Sequence, residues 1–163
     1  MMTRTLTPIL AALLLAVAPM VHADTAKAKP KPIAVAPVPA VVAPVVIQEK
    51  VVYHVNDSEN ATAAMRNVKN HLEAAPDAKI VIVTHSKGID FLLQGAADKS
   101  GNPYEPTVQA LKAKGVDFRV CNNTLVSRKI DPATVIPEAS IVPSGVAEIG
   151  RLQAKEGYAN LKP

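Results

Sequence analysis

The chain has 163 residues, a formal net charge of +4 and a single cysteine. Five of its eighteen basic residues precede Val51, against two acidic ones, so thirteen basic and twelve acidic residues remain beyond that point. A near-neutral body with five aromatic residues has neither the basic face nor the stacking platforms that nucleic-acid binding needs, and one cysteine excludes a disulfide within the chain.

Residues 1–23 have the layout of a secretory leader: a basic Arg4, an apolar stretch from Leu6 to Val21, and the small-x-small site Val21-His22-Ala23. Pro8 and Pro19 interrupt the stretch, and it falls short of the roughly 20 apolar residues of a bilayer span. The expectation is an export signal that is cleaved without stable membrane insertion, delivering the chain to a bacterial periplasm. Residues 24–48 are almost wholly Ala, Pro, Val and Lys, with prolines at 30, 32, 37, 39 and 44. Such a segment forms neither regular helix nor sheet. It reads as a disordered linker that reaches about 70 Å when extended at about 3.1 Å per residue. Residues 49–163 suit one small domain.

Within that domain, Lys50–Asn56 is rich in β-branched and aromatic residues and predicts a first strand. Asp57 and Ser58 are N-cap candidates for a helix whose inner face is Ala61, Ala64, Met65, Val68 and Leu72. Lys79–Thr84 is a near-continuous apolar run, as expected of a central parallel strand covered on both faces. Ile89–Gly95 predicts a second helix. Tyr104–Lys114 predicts a third, with Pro106 in its first turn, Val108 and Leu111 inward and Gly115 just past its end. Val116–Cys121 is a third strand and Asn122–Arg128 a short helix. Ala139–Val142 is a fourth strand. The last helix follows Gly145, with Val146, Ile149 and Leu152 inward and Gly157 closing it, and Tyr158–Lys162 is an edge strand. The alternation of strand and helix predicts an α/β three-layer sandwich: a mainly parallel sheet of four to five strands with helices on both faces.

In such folds ligands bind beyond the carboxyl ends of the strands. There the chain places His54 and Asn56, then Thr84, His85 and Ser86, then Cys121, Asn122 and Asn123, then Ser144 and Gly145. Three readings of Cys121 stay open: a small core residue, an intermolecular bridge, or a reactive thiolate made accessible by the strand end. His54 and His85 are proton acceptors for such a thiol. With Cys121 they would also supply three ligands for a soft metal, although no two of them share a short motif. The glycine patterns of a dinucleotide turn or a P-loop are absent, so no cofactor and no resident metal is expected. Thr84-His85-Ser86-Lys87-Gly88 is a poor nucleophile elbow, because Thr84 stands where the first glycine belongs.

Four stretches together resemble the DsrE/DsrF-like family, in particular its exported single-domain members. They are Val-Tyr-His-Val-Asn-Asp at 52–57, the 80–93 run from Ile-Val-Ile-Val-Thr-His to Phe-Leu-Leu, Gly-Val-Asp-Phe-Arg-Val-Cys-Asn-Asn-Thr-Leu at 115–125, and Ile-Val-Pro-Ser-Gly-Val-Ala-Glu-Ile at 141–149. The resemblance implies a five-stranded α/β sheet and homo-oligomers, trimers or hexamers. For the sulfur-relay members it also implies a cysteine that takes persulfide sulfur from a donor protein and passes it to an acceptor. Cys121 matches the position of that cysteine. The relay members work in the cytoplasm, whereas the leader here predicts export.

Overall fold

The computed structural model describes residues 48–163. The expected leader, and the expected linker up to residue 47, lie outside the described residues. The described chain forms one five-stranded sheet in the order β4-β3-β2-β1-β5, and every neighbouring pair is parallel. The strands are β1 (Lys50–Val55), β2 (Lys79–Thr84), β3 (Asp117–Cys121), β4 (Ala139–Val142) and β5 (Ala159–Leu161). The α-helices are α1 (Ala61–Ala74), α2 (Glu105–Ala113), α3 (Asn122–Arg128) and α4 (Gly145–Glu156). The three-layer α/β expectation holds, and the tail pairs with β1 as an edge strand, Tyr53 opposite Leu161.

Side chains alternate across each strand, and this period of two divides the core. Val51, Tyr53, Val55, Ile80, Ile82, Phe118 and Val120 face the layer that contains α1 and α2. Val52, Val81 and Val83 face α4, where Ile149 and Leu152 close a smaller cluster. α1 buries the five residues its helical spacing predicts: Ala61, Ala64, Met65, Val68 and Leu72. Each buried Val, Leu, Ile or Met contributes about 1.5–3 kcal/mol relative to exposure. α2 has Pro106 in its first turn, and Gly115 follows in the left-handed region at φ 90°.

Two expectations about helices are corrected. The helix expected over Ile89–Gly95 is instead a 3₁₀ run over Ser86–Leu92. Its buried residues, Gly88 with Phe91 and Ile89 with Leu92, are three apart, the spacing at which 3₁₀ side chains align. An added Cβ at Gly88 would stand 2.1 Å from the Val55 carbonyl oxygen, so this segment lies directly on the end of β1. Val146, expected inward, is 61% exposed. The inward stripe of α4 is Gly145, Ile149 and Leu152, spaced four and three apart. Gly145 takes the place in the first turn that Val146 was expected to fill.

Candidate functional site

The site begins where β3 ends. Cys121 is the last residue of β3 and also the N-cap of α3. The chain therefore turns into a helix on the cysteine itself, and the first N–H groups of that helix lie around its side chain. Cys121 is a free thiol with 4% exposure. It lies on the α4 side of the sheet, because its neighbour Val120 belongs to the opposite cluster.

α4 approaches from that side. Ser144 caps it, its hydroxyl oxygen accepting from the Ala147 N–H. An added Cβ at Gly145 would meet the Thr84 carbonyl oxygen at 3.0 Å, the Cys121 Cβ at 3.1 Å and the His85 Cβ at 3.3 Å. A glycine therefore lets the first turn of α4 seat against Cys121 and His85 without displacing them. Burial pushes the Cys121 thiol up, but the N–H of Gly145, the hydroxyl and N–H of Thr124 and the N–H of Asn123 outweigh it. The thiol is held below its ordinary value, as expected when hydrogen bonds favour the charged form.

The Thr124 hydroxyl is oriented for this role. Its oxygen accepts the Ser86 N–H at 3.0 Å, which leaves its own proton for the sulfur. Ser86 adopts φ 53°, in the left-handed region, and this turns its N–H toward Thr124. Arg128 pins the same turn, donating to the Ser86 carbonyl at 3.0 Å and pairing with Asp90 at 2.6 Å. The Asn123 N–H also donates to the Pro143 carbonyl at 3.3 Å, joining the start of α3 to the end of β4.

His54 and His85 meet beside the glycine. Their Nε2 atoms are 2.6 Å apart, and the rings lie 4.7 Å apart at 38°. One Nε2–H donates to the other nitrogen, so the pair shares one proton across this contact. The Nδ1 of His85 is 2.9 Å from the Ser86 hydroxyl. Burial lowers the affinity of both histidines for a further proton, His85 lowers it again for His54, and the Lys162 charge just beyond β5 lowers it for both. Both rings are thus biased to the neutral form, able to accept a proton.

A second polar link ties α4 to β3. Arg119 donates to Asp117 at 2.6 Å through Nη2 and pairs through Nη1 with Glu148 of α4. Glu148 also pairs with Arg151 at 2.6 Å. Arg119 lies two residues before the cysteine and Glu148 three residues after the glycine that faces it.

Of the expected site residues, Asn123 and Gly145 present N–H groups to Cys121, His85 packs against the other side of Gly145, His54 joins through His85, and Ser144 caps the helix that Gly145 begins. Asn56 and Asn122 sit half-buried at their strand ends, and among the described residues neither side chain hydrogen-bonds into this cluster. Among the described residues no group of three or more His, Cys, Asp or Glu side chains is arranged to hold a metal ion. His54, His85 and Cys121 therefore do not converge as one ligand set. Thr124 and Lys162 lie outside the expected set, whereas Ser86 belongs to the expected Thr84–Ser86 strand end. Thr124 was open to inference, because a helix starting on Cys121 puts position 124 in its first turn, next to the cap.

A family model described as the DsrE/DsrF-like family matches residues 43–163. The chain belongs to this family. Among solved structures it is similar to a protein of unknown function, MTH1491, from Methanobacterium thermoautotrophicum. That likeness has 28% identity and a TM-score of 0.64, over 71% of this chain and 100% of that one. It is also similar in fold to the ychN protein from E. coli, at 16% identity and a TM-score of 0.58, over 72% of this chain and 100% of that one. No match was found among curated proteins.

Proposed function

We propose that this DsrE/DsrF-like chain is a sulfur-carrying thiol protein of the bacterial periplasm, with Cys121 as the carrier. One arrangement carries the reading: a buried thiol that caps α3 and is faced by the glycine that starts α4, so that N–H groups from both helices and the Thr124 hydroxyl hold it low. An inert core cysteine has no such donors, and burial alone would raise its pKa. The same donors stabilise a persulfide anion, which also carries its charge on sulfur.

The transfer is an exchange at sulfur with no net redox change. The Cys121 thiolate attacks the outer sulfur of a donor persulfide. A Cys121 S–S bond forms, the donor S–S bond breaks, and the donor leaves as a thiolate that takes up a proton. An acceptor thiolate then attacks the terminal sulfur and restores Cys121. The neutral His85–His54 pair takes the proton released when Cys121 ionises and returns it to the leaving thiolate. The donor and acceptor are thiol proteins in this scheme. The chain acts as a homo-oligomer, a trimer or hexamer, and exposed Val126, Ile141 and Val146 on α3, β4 and α4 support a subunit contact beside the site.

Mass spectrometry after incubation with polysulfide tests the reading. The expected result is an adduct of about 32 Da, one sulfur atom, on the native chain, absent in Cys121→Ser. A chain that stays unmodified, or a Cys121→Ser variant that gains the same mass, overturns it.

A further inference from the structure

α1 and α2 form a groove that contains none of the residues around Cys121. Its volume is about 520 Å³, within the size range of small-molecule sites. α1 lines it with Thr62, Met65, Arg66 and Lys69, and α2 with Pro106, Thr107, Ala110 and Leu111, followed by Lys114 at its C-cap. On each helix these residues fall on one face, spaced at three or four. Met65 and Leu111 are buried and make an apolar floor. Tyr104 stands at one end, its ring fixed edge-on against Phe91 at a centroid distance of 5.8 Å.

The charge around this floor is mainly positive, three cations against the one lining carboxylate, Asp98. Arg66, Lys69 and Lys114 line the groove, and among the described residues none of them makes an ion pair. Asp98 is turned onto its own loop, and three other carboxylates of this side have partners of their own. Asp98 accepts the Ser100 and Asn102 N–H groups at 2.8 and 2.9 Å and the Asn102 side chain at 3.0 Å. Glu59 pairs with Lys99 at 3.1 Å, Glu105 accepts from Gln109 at 3.2 Å, and Asp117 is held by Arg119 and Lys112. Three cations without an ion-pair partner, against one carboxylate, over an apolar floor complement a ligand with the opposite arrangement, an apolar body that ends in an anion.

We propose that the α1–α2 groove is a second binding site, for a small amphipathic organic anion with an apolar body and one carboxylate, sulfonate or phosphate group. The apolar body covers Met65, Leu111 and Ala110, and the anionic group meets Arg66, Lys69 and Lys114. This site does not depend on the sulfur chemistry of Cys121.

Fluorescence titration of the full chain with 8-anilinonaphthalene-1-sulfonate tests it, with uncharged Nile red as the comparison dye. The sulfonate dye is expected to bind saturably at one site per chain. The triple variant Arg66→Ala/Lys69→Ala/Lys114→Ala is expected to weaken it about tenfold while leaving Nile red unchanged. Ala110→Trp, which fills the groove, is expected to abolish saturable binding of both dyes, and Cys121→Ser to leave it intact. Decanoate is expected to displace the sulfonate dye. No saturable binding, or equal affinity in the triple variant, overturns the proposal. Displacement by phosphatidylglycerol vesicles but not by decanoate assigns the surface to a membrane and also overturns it. A lower mass of Ala110→Trp in light scattering assigns the groove to a contact between copies, with the same consequence.

Discussion

The sheet face under α1 and α2 gathers twenty buried residues into one apolar cluster, whereas the face under α4 gathers five. Both faces come from the same strands, one residue apart. On the α1–α2 side the positions nearest the strand ends stay apolar, as Val55 and Val120 do. On the α4 side they become His54, Arg119 and Cys121, and the single covering helix begins with a glycine. The stability of the domain therefore resides mostly on one face, which leaves the other free to hold polar groups close together.

Core truncations test that division most severely. Phe118→Ala, on the larger cluster, is expected to cost about 3–5 kcal/mol in chemical denaturation. Leu152→Ala, on the smaller one, belongs in the lower part of the 2–5 kcal/mol range for such changes, because a lone covering helix can settle into the space. Equal losses would show that the two faces contribute alike.

Two glycines of α4 sharpen the contrast on a finer scale. Gly145→Ala must displace the Thr84 carbonyl or the Cys121 and His85 side chains, at about 1–3 kcal/mol. It also draws an N–H away from the sulfur, so the pH midpoint of iodoacetamide alkylation at Cys121 is expected to rise. Gly150→Ala meets nothing within 4 Å and is expected to stabilise the chain by about 0.5–1 kcal/mol with the alkylation midpoint unchanged. If both substitutions shift the midpoint alike, the seat of α4 on Cys121 is not what sets the thiol.

The smallest effect belongs to the histidine pair. Burial and neighbouring charge lower the folded pKa of His54 and His85. As pH falls through about 6.5, the ordinary histidine value, the unfolded chain takes up protons before the folded one does. Stability is therefore fully present above that value, declines as the pH drops toward the lowered folded pKa values, and levels off below them. His54→Gln is expected to flatten the decline in denaturation midpoints between about pH 7.5 and about pH 5.5. An unchanged slope would mean that the pair titrates as it does in the unfolded chain.

How much of this was legible follows from the kind of signal each residue leaves. The apolar runs at 50–55, 79–84 and 117–121 and the five-residue stripe of α1 are periodic, and periodicity reports burial directly, so strands and layers could be read in order. The 3₁₀ run at 86–92 hides because it shares its apolar residues with a helical pattern, and only the close approach of Gly88 to Val55 separates the two. Val146 misleads for a related reason: three-residue spacing to Ile149 fits the stripe, but the space it would occupy belongs to Gly145. At the site, strand-end logic located Cys121, His54, His85 and Gly145. It could not foresee that Ser86 would turn its N–H onto Thr124, since a positive φ at serine leaves no mark in composition. Nor could it foresee the Lys162 charge near both histidines, which depends on β5 pairing with β1.

The Arg119–Glu148 pair closes a loop of chain. From Arg119 the backbone runs through Cys121, α3, β4 and Gly145 before returning to Glu148, and the ion pair bridges its two ends. The sulfur and the amide that faces it therefore sit inside a fastened ring. In hydrogen-exchange terms, the Gly145 amide is expected to open together with β3 as one cooperative unit, rather than to fray with the first turn of its own helix.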